Sequence, residues 1–215
     1  QDYVNYNIPD RMSTKEFEIL MKYVEPYFFK EKFTMPKLLI NAGSDEFFST
    51  DSWRFYYDQL PGEKYLQYIP NVNHSLNGRY LNENLFSFYT RIINDQSFPN
   101  IVWQIKNDSL IAKVDSYEDY KVSIWEANNK IARDFRLWEE GELWGQTLLK
   151  RNSQNEYRIN LKSEKEGYTA TMLEFIFKPY SDFPLILTTG PYVMPNEYPY
   201  QSYIPKQIDF EKNDK

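Results

Sequence analysis

The stretch from Pro36 to Ser75 constrains this chain more than any other. Lys37 to Ala42 is a short apolar run closed by Gly43, the pattern of a buried strand, and Lys64 to Ile69 alternates like a second one. Between them Ser49 to Leu60 carries Trp53, Tyr56, Tyr57 and Leu60 at helical spacing and is stopped by Pro61-Gly62, so a helix is expected there. Two strands joined by such a crossover lie parallel, and in parallel sheets chemistry collects beyond the carboxyl ends of the strands. Asp45 falls just past the first strand and His74 just past the second.

An acid after one strand and a histidine after the next follows the second half of the Ser…Asp…His order of α/β-hydrolases. In that arrangement the carboxylate fixes the imidazole tautomer while the other ring nitrogen takes a proton from a serine. No Gly-x-Ser-x-Gly occurs in the 215 residues; Gly141 and Gly145 have the spacing but enclose Leu143. A histidine after a strand is ordinarily a surface or capping residue, and its place in a parallel crossover, 29 residues after Asp45, is one ground for reading His74 as a base. Glu46 and Asp51 compete with Asp45 for the acid. Asp51 has its own explanation as a first-turn acid on the expected helix.

Composition narrows the classes. A hydrophobic content of 41% with 18% aromatics supports packed cores, and a net charge of −6 gives no electrostatic footprint for nucleic acid or an anionic membrane. With no cysteine there are no disulfides or thiolate sites, and with one histidine no His-rich metal site, so neither a cofactor nor a metal is expected. No apolar run approaches the roughly 18 residues of a membrane span. The chain opens on Gln1, and the expectation is a processed piece.

Along the chain, Ser13 to Glu16 reads as a capping box for a helix with Phe17, Leu20, Met21 and Val24 on one face, ended by Pro26. Leu81, Leu85, Phe88 and Ile92 mark a second amphipathic helix ending near Asp95. From Phe98 the texture changes to short strand-like runs: 102–105, 109–115, 121–126, 134–138, 157–162, 169–178 and 185–193. The expected organisation is therefore two domains, residues 1–97 with the parallel unit and residues 98–215 as an immunoglobulin-like antiparallel β-sandwich with an extended tail ending in a charged stub. Trp103, Trp125, Trp138 and Trp144 are read as strand aromatics of the core, with a sugar or peptide groove as the lesser alternative.

The runs Met-Pro-Lys-Leu-Leu-Ile-Asn-Ala-Gly-Ser-Asp-Glu-Phe-Phe, Tyr-Tyr-Asp-Gln-Leu-Pro-Gly, Tyr-Ile-Pro-Asn-Val-Asn-His-Ser-Leu, Trp-Glu-Ala-Asn and Leu-Thr-Thr-Gly resemble the PhoPQ-activated pathogenicity-related protein family. The likeness runs from about Val24 to Tyr200 and covers the C-terminal half of a family member. It implies the C-terminal part of an α/β-hydrolase fused to a sandwich, with Asp45 and His74 on the triad acid and base. The serine would lie on an N-terminal half of the same polypeptide, which is then the expected partner. The resemblance also implies export, to the periplasm or outside the cell, and a peptide or ester substrate; the alternative is a non-catalytic signalling or virulence-associated binding protein on the same scaffold. Glu25-Pro26-Tyr27 stands where the family has Asp-Pro-Tyr.

Overall fold

Lys37–Ala42 (β1) and Lys64–Ile69 (β2) form a parallel pair in the computed structural model, with Lys37 opposite Lys64 and Ala42 opposite Ile69. The structure describes residues 2–78, 80–162, 166–179 and 181–206. The crossover is not the expected helix but two short 3₁₀ turns, Ser52–Phe55 and Tyr57–Gln59. Aromatic, Ser and Asp residues are poor helix formers, and here the surroundings offer the backbone better partners. The Trp53 N–H donates to the buried Tyr68 hydroxyl at 3.2 Å, and the Trp53 indole donates to the Pro191 carbonyl at 2.9 Å. Gly190 is required beside it, because a Cβ there would overlap the indole.

From Asn100 the chain is antiparallel. Asn100–Lys106 (β3), Ser109–Asp115 (β4) and Glu156–Asn160 (β7) make one sheet in the order β3-β4-β7. The second contains Tyr120–Asn129 (β5), Trp144–Leu149 (β6), Tyr168–Phe177 (β8), Leu185–Thr188 (β9) and Tyr192–Met194 (β10). Its order is β10-β8-β5-β6, with β9 pairing the far end of the long β8. Leu110, Ala112, Val114 and Tyr157 of the first sheet meet Val122, Ile124, Leu173, Phe175 and Leu187 of the second in one buried cluster. Residues 134–138 are not a strand. Asp134 bonds the Arg136 N–H, and a single helical turn, Leu137–Glu140, follows.

These observations correct the expected fold class. The chain is mostly β, in two antiparallel sheets, with few helices, and among the described residues the only parallel sheet has two strands. No α/β-hydrolase sheet is seen among the described residues, so the expected α/β fold class does not stand, while the two antiparallel sheets around one buried cluster are sandwich-like as expected. The reason is visible at β2, whose free side meets β9 of the antiparallel system, where the Tyr68 N–H donates to the Thr188 hydroxyl at 2.9 Å.

The helices are Asp2–Asn5 (α1), Ile8–Arg11 (α2), Lys15–Val24 (α3), Leu81–Ile93 (α4) and the turn Leu137–Glu140 (α5). Thr14, one residue past the expected cap, accepts the Phe17 N–H at 3.3 Å to start α3. In α4 the buried residues are Asn84, Ser87 and Arg91, while Leu85 and Ile92 are exposed. The Asn84 carboxamide is fully buried against β9, donating to the Ile186 carbonyl at 2.9 Å and accepting its N–H at 2.8 Å, and it also donates to Gln67 at 2.8 Å. The tail returns to α2, where the Asp10 carboxylate accepts the Tyr203 hydroxyl and the Lys206 N–H; both bonds hold its pKa below the ordinary value. Residues 207–215, the expected charged stub, lie outside the described residues.

Asn84→Ala strips the partners from Ile186 and Gln67 inside the molecule. It is expected to lower stability by roughly 3 kcal/mol, read from the urea midpoint at constant slope.

Candidate functional site

Ala42 and Ile69 end the parallel pair side by side, and the two loops that leave them stay together. The Gly43 N–H donates to the Ile69 carbonyl at 2.7 Å and the Ser44 N–H to the Val72 carbonyl at 3.1 Å. Gly43 sits so close to Ile69 O and the Trp144 indole, 3.0 and 3.2 Å from where a Cβ would be, that a larger residue would push them apart. The indole instead donates to the Gly43 carbonyl at 3.2 Å.

Asp45 follows. Its Oδ1 accepts the N–H groups of Phe47, at 2.7 Å, and Phe48, at 3.2 Å, an Asx turn that fixes the carboxylate. Its Oδ2 lies 3.1 Å from His74 Nδ1. The Asp45 side chain is 7% exposed and the His74 side chain 50%, so a buried carboxylate holds an imidazole that faces outward. Phe47 packs edge-on to the imidazole at 4.9 Å between centroids, and Phe48 lies at 5.7 Å.

The His74 loop is braced from the antiparallel sheet. Asn71, at φ 54°, exchanges two 2.9 Å hydrogen bonds with the backbone of Trp144. Asn73 Oδ1 accepts from the Ser75 N–H and hydroxyl, which closes the turn just after His74. The Asp45 loop is held by the Leu137 N–H, which donates to the Ser44 carbonyl at 3.0 Å.

Of the three acids that competed in the sequence, the structure brings Asp45 to the ring. Glu46 reaches His74 by another route, its Oε2 accepting the His74 backbone N–H at 3.1 Å. Asp51 is not at the imidazole. It is fully buried, paired with Arg133 at 2.6 Å and Arg54 at 3.2 Å, and ties the crossover to residues of the β5–β6 connection. Arg133, Asn71 and Trp144 had no local signal in the sequence, since each matters through a partner about 70 or more residues away in the chain. Trp144 is buried core, Trp103 and Trp125 are half-buried, and Trp138 is 72% exposed and outside the core.

A cavity of ≈ 270 Å³ adjoins Asp45, between residues 45–50 and residues 133–136, with Tyr200 of the tail also lining it. Arg136 chelates Asp134 there and holds its carboxyl below the usual range. A larger apolar groove of ≈ 780 Å³, lined by Tyr27, Phe33, Met35, Leu39 and Phe55, contains neither Asp45 nor His74. No group of three or more His, Asp or Glu among the described residues is arranged to hold a metal ion, and no helix among them is long and apolar enough to cross a membrane.

The chain belongs to the PhoPQ-activated pathogenicity-related protein family, whose description matches residues 1–136. It is also 26% identical over 228 aligned positions to autocrine proliferation repressor protein A of Dictyostelium discoideum, an alignment covering 94% of this chain and 46% of that protein. The chain thus spans about half the length of the curated relative it matches.

The chain has a single histidine, so one imidazole dominates its long-range ¹H–¹⁵N spectrum. At alkaline pH the ring is expected as the Nδ1–H tautomer, donating to Asp45. Asp45→Asn is expected to shift the population toward Nε2–H, and an unchanged spectrum would remove the Asp45 bond. Arg133→Ala leaves Asp51 buried without its closest cation and is expected to cost about 3 kcal/mol in a denaturation series.

Proposed function

We propose that Asp45 and His74 are the acid and base of a serine-type hydrolase whose nucleophile is supplied by residues of the same polypeptide outside these 215. The observation that supports this most is the 3.1 Å contact between a buried, backbone-capped carboxylate and Nδ1 of a half-exposed imidazole, at the carboxyl ends of two parallel strands. With Nδ1 held by Asp45, Nε2 is the nitrogen free for proton traffic. In the reaction the serine hydroxyl attacks a peptide or ester carbonyl as Nε2 takes its proton. The imidazolium, stabilised by Asp45, then returns that proton to the leaving group as the carbon–heteroatom bond breaks. Water repeats the sequence on the acyl-enzyme. Family membership and the likeness to a protein twice as long support a nucleophile from elsewhere in the polypeptide and export from the cell as parts of the same reading.

A second reading, a non-catalytic signalling or binding protein, has one observation of its own. The matched relative is named for autocrine repression of proliferation, which is a signalling role of that protein.

Labelling of the longer protein by a serine-directed fluorophosphonate separates the two. The hydrolase reading expects labelling that His74→Ala abolishes, and turnover that Asp45→Asn lowers by about four orders of magnitude with folding intact. No labelling of the folded, full-length protein favours the binding protein.

A further inference from the structure

Beyond the Ser44 N–H to Val72 bond, the loops after β1 and β2 are joined to each other by side chains, and among the described residues both of those bonds end on His74. Asp45 bonds the ring and Glu46 bonds the backbone. The ring position is set by two quantities, where the His74 backbone lies and how the side chain is rotated. Asp45 can select the rotation only if the backbone is already within reach. The loop's other anchors lie on either side of His74 and not on its own backbone groups. It is anchored before His74, at Asn71 and at the Val72 carbonyl that accepts the Ser44 N–H, and the Asn73 turn is internal to the loop. Leu76, at φ 55°, follows two residues after His74, in a conformation that costs a side-chain-bearing residue some strain. The bond from the His74 N–H to the Glu46 carboxylate is charge-assisted, the stronger kind, and acts on the His74 backbone itself.

We infer that Glu46 is a positioning residue for His74: its carboxylate holds the His74 backbone so that Nδ1 meets Asp45 and Nε2 is presented outward. The inference rests on the reading of His74 as general base and adds a residue to it. Glu46 does not touch the ring in this role, and an uncharged acceptor of the same length serves in part. The acids 45 and 46 thus divide the work on one histidine. Asp45 cannot do both, because its second oxygen is occupied by the Phe47 and Phe48 N–H groups.

The test uses the 215-residue chain and its one imidazole, comparing wild type, Glu46→Ala and Glu46→Gln, with circular dichroism confirming that each is folded. Glu46→Ala is expected to lower the ratio of Nδ1–H to Nε2–H tautomer about fivefold, the factor that roughly 1 kcal/mol corresponds to, and to move the His74 amide proton upfield. Glu46→Gln keeps an acceptor and is expected to restore most of both. A Glu46→Ala protein with wild-type tautomer ratio and amide shift overturns the inference, as does a Gln variant no better than Ala. Turnover in the longer protein is scored separately. If His74→Ala leaves hydrolysis intact, the base assignment falls whatever the spectra show. If His74 is essential and Glu46→Ala changes neither spectra nor turnover, the positioning role falls alone.

Discussion

The Asn84 carboxamide joins the parallel layer to the antiparallel one, and much of the molecule's arrangement follows from that bond pattern. A strand edge that is taken out of water must find partners for its N–H and C=O groups. β9 pairs β8 on one side, and at Ile186 both backbone groups are met by Asn84, while the same side chain reaches Gln67 on β2. A side chain that both donates and accepts stands in for a strand. Arg91, two turns further along the same face of α4, does similar work, donating to the Ser97 carbonyl and gripping Glu118 with two bonds. The helix therefore buries a polar stripe whose groups bond the backbone and polar side chains it lies on.

That junction is also what gives the site its geometry. With β2 held beside β9, the loops after β1 and β2 fall within reach of β6 and the connection that precedes it. Trp144 then bonds both Gly43 and Asn71, and Asp51 meets Arg133. The Asp45–His74 pair follows the parallel strands but is steadied by the antiparallel sheet. Removing the buried Arg133–Asp51 pair or the Trp144 contacts would loosen the loops without touching Asp45 or His74.

What could be read in the sequence was local. The run lengths of β1 and β2 and the Gly and Pro punctuation placed both strands, and with them Asp45 and His74. Periodicity found α3 and α4, and alternation with polar turns located most of the antiparallel strands. Periodicity tells which residues of a helix share a face and not what lies against it: of the periodic residues of α4, Leu81 and Phe88 pack on buried clusters while Leu85 and Ile92 are exposed. The crossover of residues 49–60 carries helical spacing, yet tertiary bonds from Tyr68 and Pro191 to Trp53 override a weak propensity. The parallel pair suggested a larger sheet, but pairing partners are a long-range property, and β2 meets β9 instead of a third parallel strand. That Asp51 is engaged away from the imidazole could not be read either, since it turns on an Arg133 that lies more than 80 residues away.

The exposure of the imidazole determines what a complete site would still need. A charge pair in contact with water interacts weakly, and the same pair in a drier setting interacts several times more strongly. Here Phe47 and Phe48, 65% and 58% exposed, lie beside an imidazole that is half open. A surface that covered both rings would gain up to about 1–2 kcal/mol from each, since each is already partly buried. By the same contact it would exclude water from His74 and strengthen its bond to Asp45. In the hydrolase reading, the surface that brings a serine to Nε2 would then be favoured by the rings that flank it, so assembly and activation are one event. In the binding-protein reading the rings contribute to affinity alone, and covering them has no consequence that passes through the imidazole.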